Sequence, residues 1–143
     1  MTYVIDASVA LKWFLREEES HGADSLFEAF LANQIELLAR DILVLEVANT
    51  LWKQSILLKR LRPEEASSIF HGLLTLPLNL KESNALASEA LKMAVEPRHP
   101  VCDTLYCALA KEHDCEFITA DRVLVDKLSG SLQLVHLLST VTL

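Results

Sequence analysis

A short apolar run that ends at an acid and passes directly into a helical pattern opens the chain, with V-I-D-A-S at positions 4–8. The residues I-T-A-D at positions 118–121 repeat this arrangement. An apolar run of this length is typical of a buried strand. A strand that leads at once into a helix is typical of a parallel sheet, because parallel strands need a crossover between them. The feature therefore predicts a fold of the α/β class.

The rest of the chain continues this alternation. Short apolar and β-branched runs predict strands at 2–5, 35–38, 75–80, 116–119 and 132–137. Apolar residues at helical spacing predict helices at 7–15, 20–32, 43–58, 63–73, 83–95, 101–113 and 121–128. Strands separated by helices indicate a parallel sheet covered on both faces. At 143 residues we expect one domain, spanning positions 1–143.

The expected location follows from what the sequence lacks. No apolar run reaches the roughly 18 residues of a membrane-spanning helix. The first residues have no basic segment, and Asp6 interrupts them, so they do not resemble a secretory signal. We therefore expect a cytoplasmic protein, in which an odd number of cysteines, three, stays reduced.

Four acids occupy comparable places in the predicted fold. Asp6 and Asp121 come directly after strands, whereas Glu46 and Asp103 fall in the first turns of helices. In open parallel sheets the ligand site lies beyond the carboxyl ends of the strands. Each acid alone is explained as a helix cap, and we accept that reading for Asp41 ahead of helix 43–58. A set of caps has no reason to cluster, so we expect the first four to meet at one site.

Grouped carboxylates predict a site for hard metal ions. Mg²⁺ and Mn²⁺ prefer oxygen ligands, and several carboxylates close together repel one another unless a cation lies between them. One or two such ions can activate a water and stabilise an in-line displacement at phosphorus. The formal charge of −7 argues only weakly against a nucleic-acid substrate, since two bound ions would offset the four acids. The expected chemistry is that of a nuclease or phosphatase.

Four ordered motifs resemble those of PIN-domain proteins: V-I-D-A-S-V-A-L-K-W-F, L-E-V-A-N-T-L-W-K, H-P-V-C-D-T-L-Y-C-A-L-A and F-I-T-A-D-R. The resemblance covers residues 3–137 and is to the VapC-like toxins of prokaryotic toxin–antitoxin (VapBC) pairs. It implies a metal-dependent single-strand ribonuclease with a three-layer α/β/α sandwich around a five-stranded parallel sheet. It also implies a homodimer, inhibited by a small VapB-like antitoxin whose C-terminal segment lies in the active-site groove.

Carried over by position, the resemblance implies a catalytic and metal-binding quartet of Asp6, Glu46, Asp103 and Asp121. It also implies supporting roles for three neighbours, namely Ser8, Asn49 and Thr119. Cys102 departs from the family, in which an aromatic residue more often precedes the third acid. In the resulting hypothesis, an ion-activated water attacks the phosphodiester in line and leaves a 5′-phosphate and a 3′-hydroxyl.

Contacts to RNA are the weakest prediction. Lys53 is the better candidate because it shares a helix side with Glu46 at spacings of three and four, through Asn49. Arg122, adjacent to Asp121, is the second. A solvated helix end explains the basic patch that contains Lys53 equally well. The large aromatic residues, among them Trp52 and Tyr106, are expected in the core or at a dimer contact.

Three other functions compete. A zinc site built from His99, His113 and the cysteines lacks the paired close spacing of such sites. Another metal-dependent phosphoryl hydrolase would need further acids; a dehalogenase-like phosphatase, for example, would need an acid where Ser8 stands. A non-catalytic module whose quartet holds metal structurally, or docks a basic peptide, stays open.

Overall fold

The sheet contains five parallel strands in the order β3-β2-β1-β4-β5. The computed structural model describes residues 1–15 and 20–143. Its strands are β1 (Thr2–Ile5), β2 (Glu36–Arg40), β3 (Asn79–Lys81), β4 (Glu116–Thr119) and β5 (Val135–Leu137). From β1 the chain moves outward to β3 and then returns to the other side of β1. The direction of connection therefore changes between β1 and β4, which is where open α/β sheets bind ligands.

Seven helices of the described chain flank this sheet. They are α1 (Ala7–Lys12), α2 (Ser20–Leu31), α3 (Leu43–Trp52), α4 (Pro63–Leu74), α5 (Ala87–Val95), α6 (Val101–Glu112) and α7 (Arg122–Leu128). Helix α3 continues into a π-helical segment, Lys53–Leu57, and a 3₁₀ turn, Leu138–Thr140, follows β5. Within the described ranges, no helix is long and apolar enough to cross a membrane.

Alternate residues of the central strands face opposite layers, as the two-residue period of a strand requires. Tyr3 and Ile5 pack with buried residues of α1, α2, α3 and α4. Val4, between them, packs with buried residues of α5, α6 and α7, and Phe117 of β4 lies in the same layer. The three-layer α/β/α sandwich with a five-stranded parallel sheet is therefore confirmed.

Element boundaries differ from the prediction at specific points. Strand β2 runs two residues beyond position 38, because its last residue, Arg40, pairs in register with Lys81 of β3. Strand β3 begins only at Asn79, because α4 extends to Leu74 and a turn follows it. The predicted cap at Asp41 is wrong: Ile42 holds the N-cap position of α3 and makes no side-chain cap hydrogen bond.

Candidate functional site

Asp6 lies at the carboxyl end of β1 and is the N-cap of α1. Its Oδ1 accepts the N–H groups of Ser8 and Val9 at 3.1 and 3.3 Å. Two hydroxyls also donate to it at 2.5 Å, from Ser8 to Oδ1 and from Thr119 to Oδ2. Burial nevertheless raises the pKa of Asp6 to about 6, and repulsion from Glu46 adds to the rise. The carboxylate is thus held firmly in a place that disfavours its charge.

The same two hydroxyls join the end of β1 to the end of β4. The Ser8 hydroxyl accepts the N–H of Ala120 at 2.9 Å, and the Thr119 hydroxyl accepts the N–H of Asp121 at 3.1 Å. Each hydroxyl therefore donates to Asp6 and accepts from the segment that carries Asp121. Asp121 itself is exposed and is the N-cap of α7.

Glu46 lies in the first turn of α3, with 31% of its side chain exposed. The Tyr106 hydroxyl donates to its Oε2 at 2.7 Å, and Arg40 Nη1 lies 3.7 Å from its Oε1. Burial raises the pKa of Glu46, and repulsion from Asp103 adds to this, whereas the contacts with Tyr106 and Arg40 oppose it. Glu46 is thus within electrostatic reach of both Asp6 and Asp103.

Asp103 lies in the first turn of α6, and its partner is His99 from the preceding loop. His99 Nε2 is 2.6 Å from Asp103 Oδ2, and the His99 side chain is only 8% exposed. The other ring nitrogen of His99, Nδ1, is buried and has no hydrogen-bond partner among the described residues. A buried imidazole that meets a carboxylate in this way fixes the direction of that carboxylate.

The acids share one end of the sheet without forming a closed cage. In the part of the chain that the structure describes, no three acidic, histidine or cysteine side chains stand close enough to hold a metal ion as they are. Repulsion explains the spacing, because like charges without a cation between them turn to other partners. Here Asp6 turns to hydroxyls, Glu46 to Tyr106 and Asp103 to His99.

By donor type, this set fits a divalent ion. Carboxylate oxygens are the ligands that Mg²⁺ and Mn²⁺ prefer. The raised pKa values of Asp6 and Glu46 mark negative charge that a nearby cation would stabilise.

The residues expected to support catalysis or touch RNA lie around this group. Ser8 and Thr119 contact Asp6 directly. Asn49 is exposed on α3, and Lys53 is exposed at the start of the π-helical segment. Arg122 is exposed at the start of α7, next to Asp121.

Sequence reasoning missed three residues that contact the acids: Arg40, His99 and Tyr106. Arg40 is the last residue of β2 and so lies at the carboxyl ends of the strands, where open parallel sheets bind ligands, but the predicted strand ended before it. His99 precedes Asp103 by four residues, a helical spacing that could have revealed the pair. Tyr106 is buried as expected, yet its hydroxyl reaches Glu46. The cysteines are free thiols; Cys107 is buried, whereas Cys102 is exposed.

Comparison with known proteins gives a consistent result. The family model of the PIN domain matches residues 3–128. The chain is similar to ribonuclease VapC3 of Pyrobaculum aerophilum, with 32% identity over 131 residues, which cover 89% of this chain and 95% of that relative. It is also similar to the crystal structure of PAE2754 from Pyrobaculum aerophilum, with a TM-score of 0.68 and 23% identity, covering 98% of this chain and 85% of the other. The second likeness is one of fold alone.

Proposed function

The chain belongs to the PIN-domain family as a VapC-like member, and on this premise we propose that it is an endoribonuclease, the toxin of a toxin–antitoxin pair. One observation carries most of the proposal. A buried carboxylate, Asp6, lies where the sheet's connections change direction, and hydroxyls tie it to the segment that holds a second acid, Asp121. Ligand sites of open parallel sheets occur at this position.

We assign catalysis to a quartet that holds one or two Mg²⁺ or Mn²⁺ ions, made of Asp6, Glu46, Asp103 and Asp121. When bound, such an ion activates water and stabilises charge at the attacked phosphate. Ser8 and Thr119 orient the Asp6 carboxylate by donating to one oxygen each.

Further residues prepare the site and its surroundings. Tyr106 directs Glu46, and His99 directs Asp103. Lys53 lies on the exposed side of the helix that carries Glu46, where it would meet a phosphate of the RNA. Asn49 lies between Glu46 and Lys53 in sequence, and Arg122 would contact the RNA beside Asp121. No side chain acts as a covalent nucleophile in this proposal. Water attacks the phosphorus and the bond to the 3′-oxygen breaks, which leaves a 5′-phosphate and a 3′-hydroxyl.

Substitution of the acids tests this proposal. Asp6→Asn and Asp103→Asn should each lower cleavage of single-stranded RNA in Mn²⁺ at least 100-fold, because each removes a charged oxygen ligand. Asp126→Asn, the same change at an exposed acid of α7, serves as the control and should cleave normally. Circular dichroism of every variant establishes that the fold is intact.

The identity of the product ends is a separate readout. A 2′,3′-cyclic phosphate would contradict attack by water. A non-catalytic binding module is the second candidate, favoured by the lack of a closed cage in the described chain. That reading would be supported if the wild-type protein binds Mn²⁺ yet leaves all RNA substrates uncut.

We further propose that residues 1–143 form a single PIN domain that acts in the cytoplasm as a homodimer and binds a VapB-like antitoxin. Support for the dimer comes from apolar side chains on one side of α3 and its π-helical continuation. Leu45, Trp52 and Ile56 follow at helical spacing and are 68%, 50% and 50% exposed. An exposed stripe of this kind is typical of an interaction surface.

A further inference from the structure

Arg40 is the largest fully buried side chain of the described residues, only 2% exposed, and it follows three buried apolar residues at the end of β2. Arginine is almost never fully buried unless it is paired, because removing its charge from water is costly. It also stays protonated in proteins. A permanent positive charge therefore lies beneath the four acids of the proposed site, and the groups that stabilise this charge must be identified.

The contacts of Arg40 come from several elements. Its Nε donates to the Ser83 hydroxyl at 3.2 Å, and its Nη1 donates to the backbone carbonyl of Cys102. The same Nη1 lies 3.7 Å from Glu46 Oε1. The guanidinium carbon is 4.9 Å from the ring centre of Tyr106, which gives a cation–π contact with the residue that also binds Glu46.

A second carboxylate, that of Asp41, positions Arg40 through Ser83. The Ser83 hydroxyl donates to Asp41 Oδ1 at 2.5 Å, and the Ser83 N–H donates to Asp41 Oδ2 at 3.3 Å. These hydrogen bonds lower the pKa of Asp41 and leave the Ser83 oxygen directed at Arg40. The guanidinium is therefore fixed from one side by Asp41 and Ser83, and faces Glu46 on the other.

We propose that Arg40 is the resident cation of this site: it holds Glu46 and the first turn of α6 in place while no metal ion is bound. The contact with Cys102 anchors the residue next to Asp103, so one side chain connects the helices that carry two of the acids. Arg40 is a positioning residue, since it acts through Glu46 and Cys102. This inference rests on the proposed function in one respect, namely that the acids take up a divalent ion.

The proposal has a thermodynamic consequence. Arg40 and a bound metal ion stabilise the same negative charges, and they repel each other. Loss of Arg40 should therefore cost the metal-free protein more stability than the metal-bound protein. By linkage, the same difference must appear as tighter metal binding by the variant.

The experiment compares the wild-type protein with Arg40→Gln, with unfolding temperatures measured in EDTA and in excess Mn²⁺ and Mn²⁺ affinity measured by calorimetry. We expect a larger fall in unfolding temperature in EDTA than in Mn²⁺, and at least about 5-fold tighter binding of Mn²⁺. Arg62→Gln is the matched control, because Arg62 is 77% exposed at the N-cap position of α4 and pairs there with Glu65. This variant should show equal changes of unfolding temperature in EDTA and in Mn²⁺, and the same affinity for Mn²⁺ as the wild-type protein.

Equal losses in EDTA and Mn²⁺, or weaker Mn²⁺ binding by Arg40→Gln, would overturn the proposal. If Arg40→Gln folds only with Mn²⁺, the proposal is supported. If it folds in neither condition, Ser83→Ala decides, because it removes only the hydroxyl that orients Arg40. Ser83→Ala should also lower the unfolding temperature more in EDTA than in Mn²⁺, but by less than Arg40→Gln does. Equal falls in EDTA and in Mn²⁺ would again overturn the proposal.

Failure of the proposed function would look different, because the wild-type protein would then bind no Mn²⁺. In that case a double-mutant cycle of Arg40→Gln and Glu46→Gln in EDTA judges Arg40 by itself. Arg40→Gln should cost less stability when Glu46 is already neutral. An equal cost in both backgrounds would mean that Arg40 does not serve Glu46.

Discussion

Asp6 is subject to two opposing influences on its ionisation. Four donors converge on its oxygens, from two backbone N–H groups and two hydroxyls, and these favour the carboxylate. Burial favours the neutral acid and is the larger effect, so the pKa rises from 3.8 to about 6. A carboxyl group in this situation makes stability depend on pH in a direction opposite to that of a salt-bridged acid.

The pH dependence of the metal-free protein follows from this shift. The pKa of Asp6 is higher in the folded protein than in the unfolded chain. The contribution of the protonated Asp6 to the stability of the fold is therefore complete below about pH 4 and is lost as pH rises through about 6. Asp6→Asn does not lose stability in this way, because asparagine stays neutral, and asparagine can still cap α1. In EDTA at pH 7.5 the variant should be more stable than wild type by roughly 1–3 kcal/mol, and the difference should shrink toward pH 4.

Urea unfolding at the two pH values measures this effect, with Asp126→Asn as the exposed control. A variant that is less stable than wild type at both pH values would mean that the four hydrogen bonds outweigh burial. Saturating Mn²⁺ should reverse the order at pH 7.5, since the charged form then has a cation to bind.

Only some residues around the acids could be predicted. Asp6 and Asp121 follow from the rule that parallel sheets bind ligands at their carboxyl ends, because each directly follows a short apolar run. Arg40 could not be found in this way, since an arginine between an apolar run and an acid normally indicates a surface turn. Its burial depends on Ser83 and Tyr106, which are distant in sequence.

At the level of elements, α2 packs closely against the 3₁₀ turn at Leu138–Thr140. A Cβ atom at Gly22 would lie 2.8 Å from the Leu138 carbonyl oxygen, closer than van der Waals contact allows. Because that oxygen belongs to the backbone, it cannot move away by a side-chain rotation. The close approach of helix and turn therefore depends on the absence of a side chain at Gly22.

Gly22→Ala should destabilise the protein by about 1–3 kcal/mol, the usual cost of overpacking, despite the better helix propensity of alanine. Gly130→Ala is the matched control, because a Cβ atom there meets nothing within 4 Å. It should change the free energy of unfolding by less than about 0.5 kcal/mol. Chemical denaturation measures both, and equal effects at the two positions would show that the contact with Leu138 yields easily.

Element types were predicted better than element ends. Strands β1 and β4 have the predicted bounds, Thr2–Ile5 and Glu116–Thr119, and in each a polar first residue is followed by buried residues. Strand β3 was placed too early because the apolar residues after position 74 belong to the turn beyond α4. Periodicity alone cannot separate a turn that packs on the core from a short buried strand.

For the whole molecule, the exposed stripe on α3 predicts the assembly state. The purified chain should be a dimer by light scattering, and Leu45→Glu or Trp52→Glu should shift it to a monomer by introducing a charge into the contact. Leu91→Glu is the control, since Leu91 is 58% exposed on α5, in the opposite helical layer. A wild-type monomer would contradict the proposed homodimer, whereas a dimer unaffected by Leu45→Glu and Trp52→Glu would contradict the placement of its contact on α3.

The architecture was predictable as a class, because alternating strands and helices lead to a parallel sheet with two covered faces. The placement of all five predicted strands in one sheet came from the resemblance to the PIN-domain family. The strand order did not follow from the residues, because neighbours such as β1 and β4 are set by contacts between distant segments, among them Ile5 beside Ile118.

That pairing of the first and fourth strands also bears on when the proposed centre can form during synthesis. Asp6 and Thr119, whose hydroxyl donates to it, are 113 residues apart in sequence, and Asp121 comes two residues after Thr119. A nascent chain that ends before Thr119 therefore lacks both the hydroxyl that orients Asp6 and the acid Asp121, so the proposed centre cannot form in it.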